Sequence, residues 1–63
     1  MNLIKEKRTE KKLTQEELGN LVGLKKEVIS HYEKGRAKPS IESAKKIGEA
    51  LNFPWYQIFE EEE

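Results

Sequence analysis

Few side chains in this 63-residue chain are equipped for chemistry. His31 is the one histidine and cysteine is absent, so disulfides and thiolate metal sites are excluded and a single imidazole is left without co-ligands. One histidine and scattered serines do not assemble a nucleophile, a base and an oxyanion site, so an enzyme is not indicated. What remains is hydrogen bonding and charge. Lys26, Glu27, Ser30 and His31 bring donors and acceptors to the outer side of one short segment. Such a face either reads the polar edge of a partner or is simply solvated. Lys25 stands just before it, and Lys34, Arg36 and Lys38 follow it closely. Loop cations of this kind either solubilise the surface or neutralise an anionic backbone.

Five helical segments are predicted to position these residues. The first spans about 2–12, with Asn2 as N-cap and Leu3 and Ile4 opening an apolar stripe. The second starts at Thr14, whose spacing to Glu17 is that of a capping box. Leu18, Leu21 and Val22 follow at helical spacing, and Gly23 stops the helix. The third runs from about Lys26 to Lys34, with Ile29 and Tyr32 inward and Gly35 as its stop. Ser40 caps a fourth helix carrying Ile41, Ala44, Ile47 and Leu51 on one face, and Asn52 ends it. A short fifth helix begins near Pro54 and holds Trp55, Ile58 and Phe59. Leu3, Ile4, Leu13, Leu18, Leu21, Ile29, Ile41, Ile47, Leu51, Phe53 and Ile58 are read as structural. With no alternating strand pattern and only short loops, the fold class is an all-α, compact five-helix bundle. Residues 1–59 form one domain, and 60–63 are an acidic tail expected to fray.

Counting Gln15 as first, the fifth residue is Gly19, the ninth Gly23 and the fifteenth Ile29. That spacing supplies a small residue at a close approach, a positive φ for a tight turn, and an apolar anchor facing back. It describes a helix-turn-helix, in which the second helix stands proud for the major groove of DNA. The formal charge is zero, yet residues 1–38 hold ten Lys/Arg against six Glu (net +4), and 39–63 hold two Lys against six Glu (net −4). A dipolar domain can turn a basic face to phosphate.

The stretches Ile4-Lys5-x-x-Arg8, Leu13 to Leu18, Val22-Gly23-Leu24, Ile29-Ser30-x-Tyr32 to Arg36, Lys38-Pro39-Ser40 and Ala50-Leu51 resemble the Cro and phage-repressor type of helix-turn-helix regulator, also called the xenobiotic-response-element type. The resemblance implies a lambda-repressor-like DNA-binding domain acting as a transcriptional regulator, in particular a repressor. Its partner would be double-stranded DNA with a palindromic operator, bound by a homodimer. Base contacts would fall on Lys26, Glu27, Ser30 and His31. Phosphate contacts would fall on Gln15, Lys25, Lys34, Arg36, Lys38 and Arg8. The resemblance also pairs Arg8 with Glu33 as a structural ion pair, and places the dimer contact at Pro54, Trp55, Tyr56 and Gln57. Three positions depart from the pattern: Lys25-Lys26 replace a capping hydroxyl, Glu27 replaces a small hydroxyl residue, and Gly19 replaces alanine. Glu27 and the zero net charge leave open a protein-interaction module or an antitoxin with the same fold. No cofactor, metal, membrane or small-molecule ligand is expected. The absence of a long apolar run and of a basic-then-apolar leader suggests a cytoplasmic, nucleoid-associated protein.

Overall fold

The computed structural model describes residues 2–60, which fold as five helices: α1 (Leu3–Glu10), α2 (Gln15–Val22), α3 (Lys26–Glu33), α4 (Ile41–Leu51) and α5 (Gln57–Glu60). Each start has a local cause. The Asn2 side chain accepts from the Lys5 amide, Thr14 and Glu17 form the reciprocal capping box, and Ser40 accepts from the Ser43 amide. The third helix begins without a side-chain cap, because Lys25 has no acceptor to offer its first amides. Gly23 ends α2 at φ 75° and Asn52 ends α4 at φ 63°, both left-handed.

The end of α1 has no such signal in its sequence. Lys11 is the C-cap, and Lys12 takes a left-handed φ of 60° while the Leu13 amide returns to the Arg8 carbonyl. The helix therefore stops two residues short of the predicted Lys12. The fifth helix also differs from expectation. Pro54, Trp55 and Tyr56 form tight turns, their carbonyls accepting from residues three further on, and the α-helix proper starts at Gln57. Glu60, assigned to the acidic tail by sequence, is the last residue of α5, and the remaining tail positions 61–63 lie outside the described residues.

Ile4, Leu18, Val22, Ile29, Tyr32, Ala44, Ile47, Leu51 and Ile58 form the core, with Leu13, Leu24, Val28, Phe53, Trp55 and Phe59 packed around it. Three residues read as structural are in neither group: Leu3 is half-buried, Leu21 is 61% exposed and Ile41 59%. Leu21 lines an open groove with Lys46, Glu49 and Ala50 of α4, and Ile41 is the first residue of its helix. The molecule measures 27 × 22 × 21 Å. Among the described residues no helix is long and apolar enough to cross a membrane.

Candidate nucleic-acid interface

The turn between α2 and α3 decides where α3 points. Gly23 and Leu24 both donate their amides to the Gly19 carbonyl, the latter at 2.8 Å. A β-carbon on Gly19 would collide with the Leu24 carbonyl oxygen. The small residue is thus required by the turn backbone, not by the body of α3. Beyond the turn, Ile29 and Tyr32 anchor the inner face of α3 in the core, and Val28 packs at its edge. The helix is thereby held in one rotation about its axis. Lys26, Glu27 and His31 are exposed on the opposite side and Ser30 is half-buried beside them. Lys25, Lys34, Arg36 and Lys38 are all exposed around the two ends of that face.

Behind α3 lies a buried polar hub. Arg8 from α1, only 9% exposed, grips Glu33 at the end of α3 with two parallel bonds, Nε to Oε2 at 2.7 Å and Nη2 to Oε1 at 3.0 Å. Its Nη1 donates to the Leu13 carbonyl at 2.7 Å. The first residue of α2 joins the same carboxylate: Gln15 Nε2 donates to Glu33 Oε1 at 3.0 Å. Three helices therefore meet on one glutamate. Burial alone would push the Glu33 carboxyl up. The hydrogen bonds from Arg8 and Gln15, with the charges of Arg8 and Lys5, outweigh it and hold the carboxyl below its usual range. Asn2 adds a fourth tie, donating from Nδ2 to the Tyr32 carbonyl at 2.9 Å. The same carbonyl also accepts from the Gly35 amide at 3.2 Å.

These bonds constrain the roles of Arg8 and Gln15. Three of the five guanidinium hydrogens of Arg8 are given to protein groups, and little of its surface is open. Gln15 has given one amide hydrogen to Glu33 and keeps a second.

The residues assigned to a dimer contact lie in the turns after α4 and at the first residue of α5. Trp55 is half-buried. It lies against Gly48 of α4, where a β-carbon would come within 2.9 Å of the Trp55 Cα and Cβ. The Lys45 ammonium stands 5.5 Å from the ring centroid, and Tyr56 and Phe59 meet the ring edge-on. The exposed aromatic at this turn is Tyr56, 51% accessible, with Pro54 exposed and Gln57 half-buried beside it. Gly48 was not singled out by sequence, since its neighbour lies in another element.

The sequence profile described as helix-turn-helix matches residues 4–58, almost the whole of the described fold. The chain belongs to the Cro and phage-repressor type of helix-turn-helix regulator. This helix-turn-helix chain is similar to an uncharacterised HTH-type transcriptional regulator, YqaF, of Bacillus subtilis (strain 168), at 40% identity over 58 residues, covering 92% of this chain and 76% of the relative. It is also 44% identical over 56 residues to an uncharacterised HTH-type transcriptional regulator of Archaeoglobus fulgidus, covering 89% and 79%. A third relative, the multiprotein-bridging factor 1a of Arabidopsis thaliana, is 42% identical over 48 residues, which is 76% of this chain and 34% of that protein. Membership makes this helix-turn-helix protein a DNA-binding transcriptional regulator and not an enzyme.

Proposed function

We propose that this regulator is a sequence-specific repressor that sets α3 into the major groove of a palindromic double-stranded operator as a homodimer. The observation that carries the reading is the outer face of α3. Lys26, Glu27, Ser30 and His31 lie on it, while Ile29 and Tyr32 on the other side fix its rotation. Lysine donates to guanine, a carboxylate accepts from the cytosine amino group, and serine serves either role. Lys25, Lys34, Arg36 and Lys38 flank the groove and neutralise phosphates, and Gln15 presents its free amide hydrogen to another at the positive end of α2. Arg8 is the remaining phosphate contact, through the guanidinium hydrogens it has not given to Glu33 and Leu13. Residues 1–59 constitute the DNA-binding unit, with Pro54, Trp55, Tyr56 and Gln57 at the seam between copies. Such a protein works where the chromosome is, in the cytoplasm at the nucleoid.

Salt dependence tests the reading. If the dimer neutralises about six phosphates, the plot of log affinity against log salt falls with a slope of about −5. A flat plot would remove DNA as the main partner.

A second reading has its own support. Glu27 places a carboxylate in the middle of the α3 face, and the chain carries no net charge. One relative is named for bridging proteins. On this reading the module docks on a protein, as an antitoxin does on its toxin, and duplex binding is weak at every salt concentration.

A further inference from the structure

We infer that Glu33, a buried anion that never touches DNA, is a positioning residue for phosphate capture, because it holds Gln15 in the orientation that meets the backbone. The inference deepens the proposed function and rests on its assignment of Gln15 to phosphate. A glutamine at the first position of a helix is ordinarily free to rotate about three side-chain bonds, and ordering it on binding opposes affinity. Here the ordering is complete before DNA arrives. Oε1 of Glu33 accepts from Gln15 Nε2 at 3.0 Å and from Arg8 Nη2 at 3.0 Å, while Oε2 accepts from Arg8 Nε at 2.7 Å. The Glu33 side chain is only 4% exposed and the Arg8 side chain 11%, so the carboxylate is itself clamped. Arg8 also fixes the Leu13 carbonyl, in the loop that leads into α2. One amide hydrogen of Gln15 is thus tied to a rigid acceptor, and the other is aimed by the planarity of the amide.

This chain of contacts reverses a simple electrostatic expectation. Removing a negative charge near a polyanion should strengthen binding. If Glu33 positions Gln15, removing it weakens binding instead. The experiment measures affinity for mixed-sequence duplex DNA, because phosphate contacts do not depend on sequence. The full chain is used at a temperature where circular dichroism shows each variant folded. Gln15→Ala is expected to weaken binding about tenfold, the worth of one well-placed hydrogen bond to a charged group. Glu33→Gln is expected to weaken it comparably, and Gln15→Ala added to Glu33→Gln is expected to have little further effect. Loss of stability alone would not abolish the effect of Gln15→Ala in this way. Should Glu33→Gln not fold, the double replacement Arg8→Met/Glu33→Leu takes its place, since apolar residues of similar volume commonly substitute for a buried pair without loss of stability. In that background, too, Gln15→Ala is expected to change affinity little. Tighter binding by Glu33→Gln, or a tenfold loss from Gln15→Ala in every background, overturns the inference while leaving DNA binding intact. A wild-type chain that does not bind duplex DNA overturns the proposed function itself.

Discussion

Glu33 accepts three side-chain hydrogen bonds, two from Arg8 and one from Gln15. Its carboxyl is depressed in the folded state, so the stability it confers is present above the unfolded carboxyl value, near 4.5, and is lost as pH falls through the lower folded value. Thermal unfolding followed between about pH 7 and pH 3 should show this loss in the wild type, and the Glu33→Gln variant should lack that component. An equal acid response in both would remove the pair from the account. Breaking a buried pair by deleting one partner costs ~3–5 kcal/mol, with the slight exposure of Arg8 lowering the figure. A double-mutant cycle on stability with Arg8→Ala and Glu33→Ala should therefore give clear coupling. Lys12 is strained in the opposite sense, a long side chain in a backbone region that suits glycine. Lys12→Gly is expected to stabilise the fold by ~1 kcal/mol, raising Tm by roughly 4–8 °C. An unchanged or lower Tm would show that the left-handed conformation carries no strain here.

At the scale of the helices, what was legible in the sequence was local. The caps at Asn2, Thr14 and Ser40 and the stops at Gly23 and Asn52 depend on neighbours within five residues, and all act as read. The misreadings were tertiary. Leu21 and Ile41 continue an apolar periodicity, but periodicity locates a stripe and not the width that neighbouring helices cover. The end of α1 carries no glycine to announce it, and the turns at Pro54–Tyr56 postpone α5 by three residues. Gly48 matters only because residues 53–55 fold back over it. Gly48→Ala should accordingly destabilise by ~1–3 kcal/mol through overpacking, against a gain of ~1 kcal/mol in helix propensity. A more stable variant in a denaturant titration would mean that the seam between α4 and the Trp55 turn is loose. For the site, spacing alone gave the helix-turn-helix and the outward face of α3. The pairing of Arg8 with a residue 25 positions away came from the family resemblance, and the attachment of Gln15 to that pair was not anticipated.

At the scale of the molecule, the bundle's longest dimension is 27 Å, and successive major grooves on one side of a duplex are ~34 Å apart. In the proposed homodimer two copies meet at the turn before α5 and set their α3 helices in successive major grooves. The exposed ring of Tyr56, beside Pro54, offers the apolar surface there, while Trp55 is already half-covered by its own chain. Tyr56→Ala should therefore weaken binding to a two-fold site more than to a half-site, with Tm nearly unchanged, as a gel-shift comparison of the two duplexes reports. Equal losses on both would move the seam elsewhere. Trp55→Ala should lower both cooperativity and Tm.

Selection of binding sites from random duplexes decides whether the outer face of α3 reads DNA sequence. The wild-type chain should enrich a two-fold symmetric sequence, and Lys26→Gln should change which bases are preferred, since one well-placed contact gives ~1–3 kcal/mol of discrimination. An identical enriched sequence from the variant would contradict the placement of Lys26, and no enriched sequence from the wild type would contradict sequence reading altogether.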